Sequence, residues 1–444
     1  MTVHSKDGKT WLTKLNRIGE LSATNKNLVF NNLGHLIDVD MLREQYRLLD
    51  WKKAVGIDKV TKENYGENLE ENIKKLIQKI RRGTYKPQPF RVTEIPKEDG
   101  SKRPLAIACF EDKLVQLAVS TILSKIYEPL FLPCSYGYRP GKSCHDALRA
   151  LMRSTIGNPN GAVVEIDIRK YFNTIPHKEL MKILTDKISD HRFIRLIEIL
   201  ITAPVMERGK TTKTPCGCQQ GSCLSPILSN IYLHHVIDEW FENIKQSHLH
   251  GRAEAIRFAD DMVFTFQWYN QAERFFEVLP KRLAKYGLEM HLDKSQILPA
   301  GATAAIKAIG KGERLKTFKF LGFMCYWSKG RNGKYRLKYS SRKDRFAAKL
   351  KSMKKFLWNK LNTESTTMVL KMVNMVVKGW INYHAISDNS HSIDQFLEKS
   401  KFLLHRWLNR RGGKKYVTWK QLMLTLKEVG FPKDYKILSM FHSR

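Results

Sequence analysis

The segment 255–266, AIRFADDMVFTF, places two adjacent carboxylates between two apolar half-strands. Strands of this composition are buried, and charges beside a buried strand are costly unless something compensates them. The pattern predicts two short strands with a polar turn that carries Asp260 and Asp261. A third carboxylate, Asp167, stands in the β-branched stretch 162–168, AVVEIDI, which reads as another short strand. Like charges brought together call for cations, and all-oxygen donors suit Mg2+ rather than zinc. Taken alone, the Asp260–Asp261 pair also fits a solvated turn.

At 444 residues, 42% of them hydrophobic, the chain has room for two to four domains and a sizeable core. Seventy-seven Lys and Arg against 43 acidic residues leave a net charge of +34, which points to a polyanionic partner. The charge is uneven. Residues 301–444 hold 32 basic and 8 acidic residues, +24 of the total, and are expected to hold phosphate backbones. Aromatics such as Trp358, Trp380, Trp407 and Trp419 lie among these charges. They suit base stacking or helix cores, the core being the commoner role at helical spacing.

No apolar run approaches the roughly 18 residues of a membrane span, and MTVHSKDGKTWLTK lacks the apolar stretch of a secretory signal. The expected location is the cytoplasm, with no membrane partner. Seven cysteines without such a signal do not read as a disulfide framework. Cys216, Cys218 and Cys223 are close in sequence, but their spacing matches no usual zinc pair, and small residues in a tight turn are the better reading.

Leu69, Ile73, Leu76, Ile77 and Ile80 recur at helical spacing over 69–82, with Gly83 as a stop. EDG at 98–100 separates VTEIPK from KRPLAIA, a basic-armed β-hairpin. Helices are predicted over 112–131 and 224–244. After Gly301 the chain turns to basic helices at about 344–361, 365–386 and 393–411.

Eight segments in order give these pieces a context. They are IPKEDGSKRPL (95–105), SYGYRPGKSCHDAL (135–148), EIDIRKYFNTIPH (165–177), CQQGSCLSPILSNIYL (218–233), FADD (258–261), GLEMHLDKSQI (287–297), FKFLGF (318–323) and GWINYH (379–384). Together, over about residues 30–420, they resemble the reverse transcriptases encoded by bacterial group II introns. FADD is similar to that family's YADD box with Phe258 in place of tyrosine, and Gln219 stands where proline is usual in its PQG segment. The resemblance implies an α+β right-hand polymerase: fingers, a palm with an antiparallel sheet, a helical thumb and a basic C-terminal tail. The expected divisions are 1–68 (N-terminal extension and start of the fingers), 69–300 (fingers and palm), 301–392 (end of the palm and thumb or maturase domain) and 393–444 (a basic DNA- and RNA-binding segment).

The resemblance further implies an RNA-directed DNA polymerase with two Mg2+ ions. Asp167 and Asp260 would ligate both ions, the Ile168 carbonyl would complete one sphere, and Asp261 would help hold the pair and the primer end. Two such ions can activate a 3′-hydroxyl and stabilise a leaving pyrophosphate. Lys97 and Arg103 would grip the triphosphate, Gln220 would contact the nucleotide, and Phe172 would block a ribose 2′-hydroxyl. Lys294 would protonate pyrophosphate. For Phe172 and Gln220 the alternative is plain packing.

The implied partners are an RNA template, a DNA primer or target, dNTPs, and a group II intron RNA whose splicing a maturase would assist. A domesticated reverse transcriptase in antiviral defence or DNA repair remains open. So does a splicing-only maturase, against which the intact Asp167, Asp260, Asp261, Lys97 and Arg103 argue. The segment WLNRRGGKKYVTWKQL at 407–422 has no CxxC pair, which is similar to members lacking an endonuclease domain. Oligomeric state has no signature in the sequence.

Overall fold

The computed structural model describes residues 10–51, 53–96, 102–213, 216–410 and 416–441. The first helices are α1 (Thr10–Thr24), α2 (Val39–Leu48), α3 (Lys62–Gly66) and α4 (Leu69–Arg81), followed by the hairpin strands β1 (Phe90–Pro96) and β2 (Lys102–Ile107). Next come α5 (Phe110–Tyr127), α6 (Cys144–Ile156), β3 (Gly161–Ile166), α7 (Tyr171–Thr174), α8 (His177–Thr185), α9 (His191–Ile201), β4 (Val205–Glu207) and β5 (Lys210–Thr212). Helix α10 (Ser225–Leu233) passes through a π turn at His234–Asp238 into α11 (Glu239–Ser247). Strands β6 (Ala253–Phe258) and β7 (Asp261–Phe266), α12 (Tyr269–Lys285), β8 (Gln296–Ala300) and α13 (Ala302–Gly310) follow. Strands β9 (Phe318–Phe320), β10 (Phe323–Lys329) and β11 (Tyr335–Ser341) lead to α14 (Lys343–Lys360), α15 (Thr366–His384), α16 (Ser390–Asn409) and α17 (Trp419–Glu428).

The palm is an antiparallel sheet in the order β6-β7-β3-β8. Its strands read as nearly unbroken apolar runs because both faces are covered. Ala162, Val164, Met262, Phe264 and Phe266 join the large core beneath the N-terminal helices. The alternate residues Val163, Ile256, Val263 and Leu298 pack with Leu148 and Leu151 of α6 and with β10 and β11. The fingers hairpin belongs to a second sheet, β2-β1-β4-β5. An antiparallel palm sheet with helices packed on it is the arrangement of the right-hand polymerase fold.

Two expectations need correction. The stretch after Gly301 does not go directly to helices: α13 and the three-stranded sheet β11-β10-β9 come first. Its residues alternate, with Phe323 and Cys325 on β10 and Leu337 and Tyr339 on β11 buried between more exposed neighbours, a period-2 pattern that the basic composition obscures. The division expected at 392/393 falls inside α16, whose Ile393, Phe396 and Leu404 share one core with Leu357 of α14, Val373 of α15 and Leu422 of α17. Among the described residues no helix is long and apolar enough to cross a membrane.

Besides Tyr383 of α15, which donates to the Leu321 carbonyl at 2.7 Å, the thumb is attached to the palm along two seams. At its entrance, Ser341 and Asn389 exchange hydrogen bonds (2.8 and 2.9 Å), and Arg336 holds Asp388 bidentately at 2.6 and 2.7 Å. Beyond α17 the chain returns: Leu438 bridges Ile386, Met440 is buried in the palm-side core, and Arg149 of α6 donates to the Ser439 carbonyl at 3.0 Å.

The palm hairpin is held from inside. Arg257 of β6 is 1% exposed, yet its neighbours satisfy the whole guanidinium. Asp238, on the π turn, accepts at 2.7 Å from Nε and at 2.5 Å from Nη2. Nη1 donates to Asn230 Oδ1 (3.0 Å) and to the Ala259 carbonyl (3.2 Å), and Nη2 also to the Ser135 hydroxyl (2.8 Å). A buried charge that loses its partner costs about 3–5 kcal/mol. Asp238→Ala is therefore expected to lower stability by about that amount in urea denaturation. A loss within the range of exposed ion pairs, below about 1 kcal/mol, would show that the pair does not hold the hairpin.

Candidate active site

The β6–β7 hairpin closes on the pair Phe258–Asp261, leaving Ala259 and Asp260 as a two-residue turn. Ala259 has φ 56°, a left-handed conformation that costs an L-residue roughly 1–2 kcal/mol. Its carbonyl is tied to Arg257, and the backbone of Gly137 packs on the Phe258–Ala259 peptide so closely that a Cβ at 137 would lie 2.4 Å from the Ala259 nitrogen. Asn230 donates to the Gly137 carbonyl at 2.7 Å and completes the support. The turn is thus fixed from below while Asp260 and Asp261 face the cleft.

Strand β3 stops at Ile166, which pairs with Met262; continued by one residue, the register sets Asp167 against Asp261. Directly opposed residues have Cβ atoms about 4.5–5.5 Å apart. The Asp167 carbonyl accepts from the His291 amide (2.8 Å) and the Glu289 carbonyl from the Arg169 amide (2.8 Å), with Ile168 bridged to Met290 between them. In such a ladder the Ile168 carbonyl turns the other way, toward the β6–β7 turn. Lys294 Nζ lies 3.7 Å from Asp167 Oδ2, and the Ser295 hydroxyl accepts from the Asp167 amide at 3.1 Å.

Electrostatically, the carboxylates act on one another. Loss of hydration and then Asp260 and Asp167 push Asp261 up to about 6, although its side chain faces the open cleft. Asp260 is also raised, first by burial and then by Asp167, while Arg103 and Arg257 oppose the shift. Among the described residues no three His, Cys, Asp or Glu side chains already converge as a ligand set. The donors are nevertheless all oxygen, adjacent and mutually repelling, which fits a hard divalent cation bound by carboxylates that rotate toward it.

The surroundings bring most of the other expected residues to this end of the palm. Arg103, on β2, is exposed, and its charge reaches Asp260. The Gln220 carbonyl accepts from the Ala106 amide at 2.7 Å, joining the fingers strand to the 216–223 loop. The same loop is laced to Phe172: the Cys218 amide donates to the Phe172 carbonyl (2.7 Å) and the Gly217 amide to the Ile175 carbonyl (2.8 Å). Gly217 has φ 91°, and a Cβ there would meet Asn173 backbone at 2.8 Å, so this crossing requires glycine. Phe172 is partly buried against the core beside Tyr171, at 5.4 Å between ring centroids. Lys97 lies outside the described residues.

Gln219 in place of proline does not leave the loop slack, because its carbonyl accepts from Ser225 (2.8 Å) and Gln116 Oε1 receives both the Ser222 hydroxyl and the Cys223 amide (3.0 and 3.1 Å). Phe258 packs into the α6-side core where the family's tyrosine would stand. Sequence reasoning missed two neighbours. Arg345, at the start of α14, acts on Asp261 and lies over Gly322, where a Cβ would come within 2.6 Å of its Nη1. Tyr138, with φ 56°, faces the carboxylates. Neither carries a spacing signal, since each reaches the site through tertiary packing.

This palm, with three carboxylates at one sheet end and a basic hairpin above them, is the architecture of nucleotide polymerases. A model of the reverse transcriptase (RNA-dependent DNA polymerase) family matches residues 95–325, more than half of the chain, and the chain belongs to that family. It is 39% identical over 232 residues to the group II intron-encoded protein LtrA of Lactococcus lactis subsp. cremoris, covering 51% of this chain and 38% of that one. It is 32% identical over 265 residues to protein YkfC of Escherichia coli strain K12 (58% and 66% covered), and 33% identical over 219 residues to the putative COX1/OXI3 intron 1 protein of Saccharomyces cerevisiae (49% and 26% covered). The chain thus spans about two fifths of the length of the Lactococcus relative.

The site's electrostatics are testable in metal-free buffer. The site pushes Asp261 up from an ordinary 3.8 to about 6, so its ionisation opposes folding progressively as the pH rises between these values and by a constant amount above them. Relative to the native chain, Asp261→Asn is expected to gain Tm progressively between those two pH values and by a constant amount above them. Thermal melts across this range check the assignment; a difference that does not change with pH would show that Asp261 is fully hydrated.

Proposed function

We propose that this chain extends a DNA primer on an RNA template from dNTPs, with two Mg2+ ions, and assists a group II intron as its maturase. The observation that carries the first part is that Asp167, Asp260 and Asp261 stand at one end of an antiparallel palm sheet, within reach of the charge of Arg103. Asp167 and Asp260 would hold both ions, the Ile168 carbonyl would add a ligand, and Asp261 would steady the pair and the primer end. Such ions, when bound, activate the primer 3′-hydroxyl and stabilise the leaving pyrophosphate.

The remaining roles belong to the chain's own side chains. Arg103, together with Lys97, meets the triphosphate; a guanidinium fork matches its oxygens. Gln220 contacts the nucleotide from a loop whose backbone is bonded to β2, so triphosphate and sugar are positioned by one connected unit. Phe172 stands beside that loop, where its ring excludes a 2′-hydroxyl. Lys294, beside Asp167, delivers a proton to the departing pyrophosphate.

The intron partnership is supported by the similarity to a group II intron-encoded protein and by the +24 carried beyond residue 301. We read 69–300 as fingers and palm, and 343–431 as one thumb that binds nucleic acid along its basic surface, with action in the cytoplasm on nucleoid DNA. Shape and unpaired loops would supply the RNA specificity that phosphate contacts lack.

Asp260→Asn is expected to abolish Mg2+-dependent primer extension on an RNA template and to leave RNA binding within about twofold, because it removes a metal ligand and no phosphate contact. Equal synthesis by variant and native chain would end the metal assignment. Phe172→Ala is expected to relax selection against ribonucleotides by at least about tenfold in the ratio of extension efficiencies, the scale of a lost steric contact. Unchanged selectivity would make Phe172 a packing residue.

A further inference from the structure

Beyond the Gly161 end of β3, the end opposite Asp167, the end of α6 and the start of β6 enclose a cavity of about 370 Å³. Asn158 lines it. The residue is 3% exposed, and neither its amide nitrogen nor its amide oxygen has a hydrogen-bond partner among the described residues. A buried amide open at both its donor and its acceptor is uncommon and destabilising until something meets it. The rest of the cavity is not that of an ordinary packing defect. Tyr136 and Ile256 supply an aromatic ring and an apolar wall, and Arg153 and Arg252, both exposed, stand at the mouth. Arg252 lies over Gly157, where a Cβ would be 3.0 Å from its Nη1. Glu254 also lines the mouth, with Lys245 at 3.7 Å.

These groups have the layout of a mononucleotide site. An asparagine amide pairs with an edge that offers a donor beside an acceptor, which adenine does with N6 and N7; guanine presents two acceptors there, N7 and O6. An aromatic ring in an apolar pocket stacks an unpaired base, and guanidinium groups at the mouth meet a phosphate. The volume falls within the range of small-ligand pockets. We propose that this cavity binds an adenosine 5′-phosphate group, supplied either by an unpaired adenosine of an RNA strand or by free adenine mononucleotide. The site is separate from the polymerase centre and does not rest on its activity.

The test uses the full chain without Mg2+, primer or template. AMP and GMP are titrated by calorimetry, and oligouridine strands carrying one central A or one central G are titrated by fluorescence anisotropy. AMP is expected to bind about tenfold more tightly than GMP, the scale of one bidentate base contact. Asn158→Leu is expected to erase that preference. The paired change Arg153→Gln and Arg252→Gln, made at exposed positions that do not enter the core, is expected to weaken AMP about tenfold, while all variants keep normal primer extension. An equal A-over-G preference in the oligonucleotides assigns the site to RNA; a preference confined to AMP assigns it to the free nucleotide. If AMP and GMP bind equally or not at all, and the oligonucleotides do not differ, the proposal is overturned and Asn158 is met by buried water. An AMP preference that survives both sets of substitutions overturns it as well.

Discussion

A single buried ion pair sets the geometry on which the rest of the palm depends. Moving a guanidinium and a carboxylate out of water is expensive, and their attraction repays it only with good geometry and with the remaining donors satisfied. Arg257 meets both conditions: it is bidentate to Asp238 and bonded to Asn230, Ser135 and the Ala259 carbonyl. The pair therefore joins three separate stretches of chain, at Ser135, at Asn230–Asp238 and at Arg257–Ala259. The π turn at His234–Asp238 is part of the same arrangement, since the extra residue in the helix shifts the phase of Asp238 relative to α10. A left-handed alanine at the hairpin tip persists because this frame surrounds it.

Above the frame, the charges are deliberately unbalanced. Beyond the loss of hydration, Asp167 raises the proton affinity of Asp260, and Asp260 and Asp167 together raise that of Asp261; Arg103 and Arg257 on the first and Arg345 on the second offset this only in part. The apo palm thus carries an electrostatic strain that a bound cation would relieve, and the rigid support beneath keeps the carboxylates from drifting apart. The loop around Gln220 extends the same logic to the nucleotide. It is bonded to β2 on one side and to the Phe172 segment on the other, so fingers and palm meet through backbone hydrogen bonds and not through side-chain contacts alone.

Where a residue's role is local, the sequence displayed it. Asp260 and Asp261 stand out between apolar half-strands, α4 follows its helical spacing to Arg81, and the β1–β2 hairpin flanks its turn signal. Roles created by tertiary packing were hidden. Arg257 looks like one more charge in a strand, because the burial of both sheet faces cannot be seen without the cover of α6 and of β10–β11. Strands β9–β11 were masked by lysines and arginines at their exposed positions, where charge and strand alternation coexist. The thumb core runs on across residue 393, because composition does not show which helices share an apolar interior. Arg345 reaches Asp261 over Gly322, a proximity that no spacing rule encodes.

The two seams at the base of the thumb have a mechanical consequence. A lobe joined to a body by one linker can swing, twist or exchange with a neighbour, limited only by that linker. Here the bundle leaves the palm beside Ser341 and is fastened again at Leu438–Met440, so both ends of its chain are clamped to the same support. A lobe clamped in this way is held against swinging or twisting freely on a single linker. To come away from the palm it must break both fastenings together.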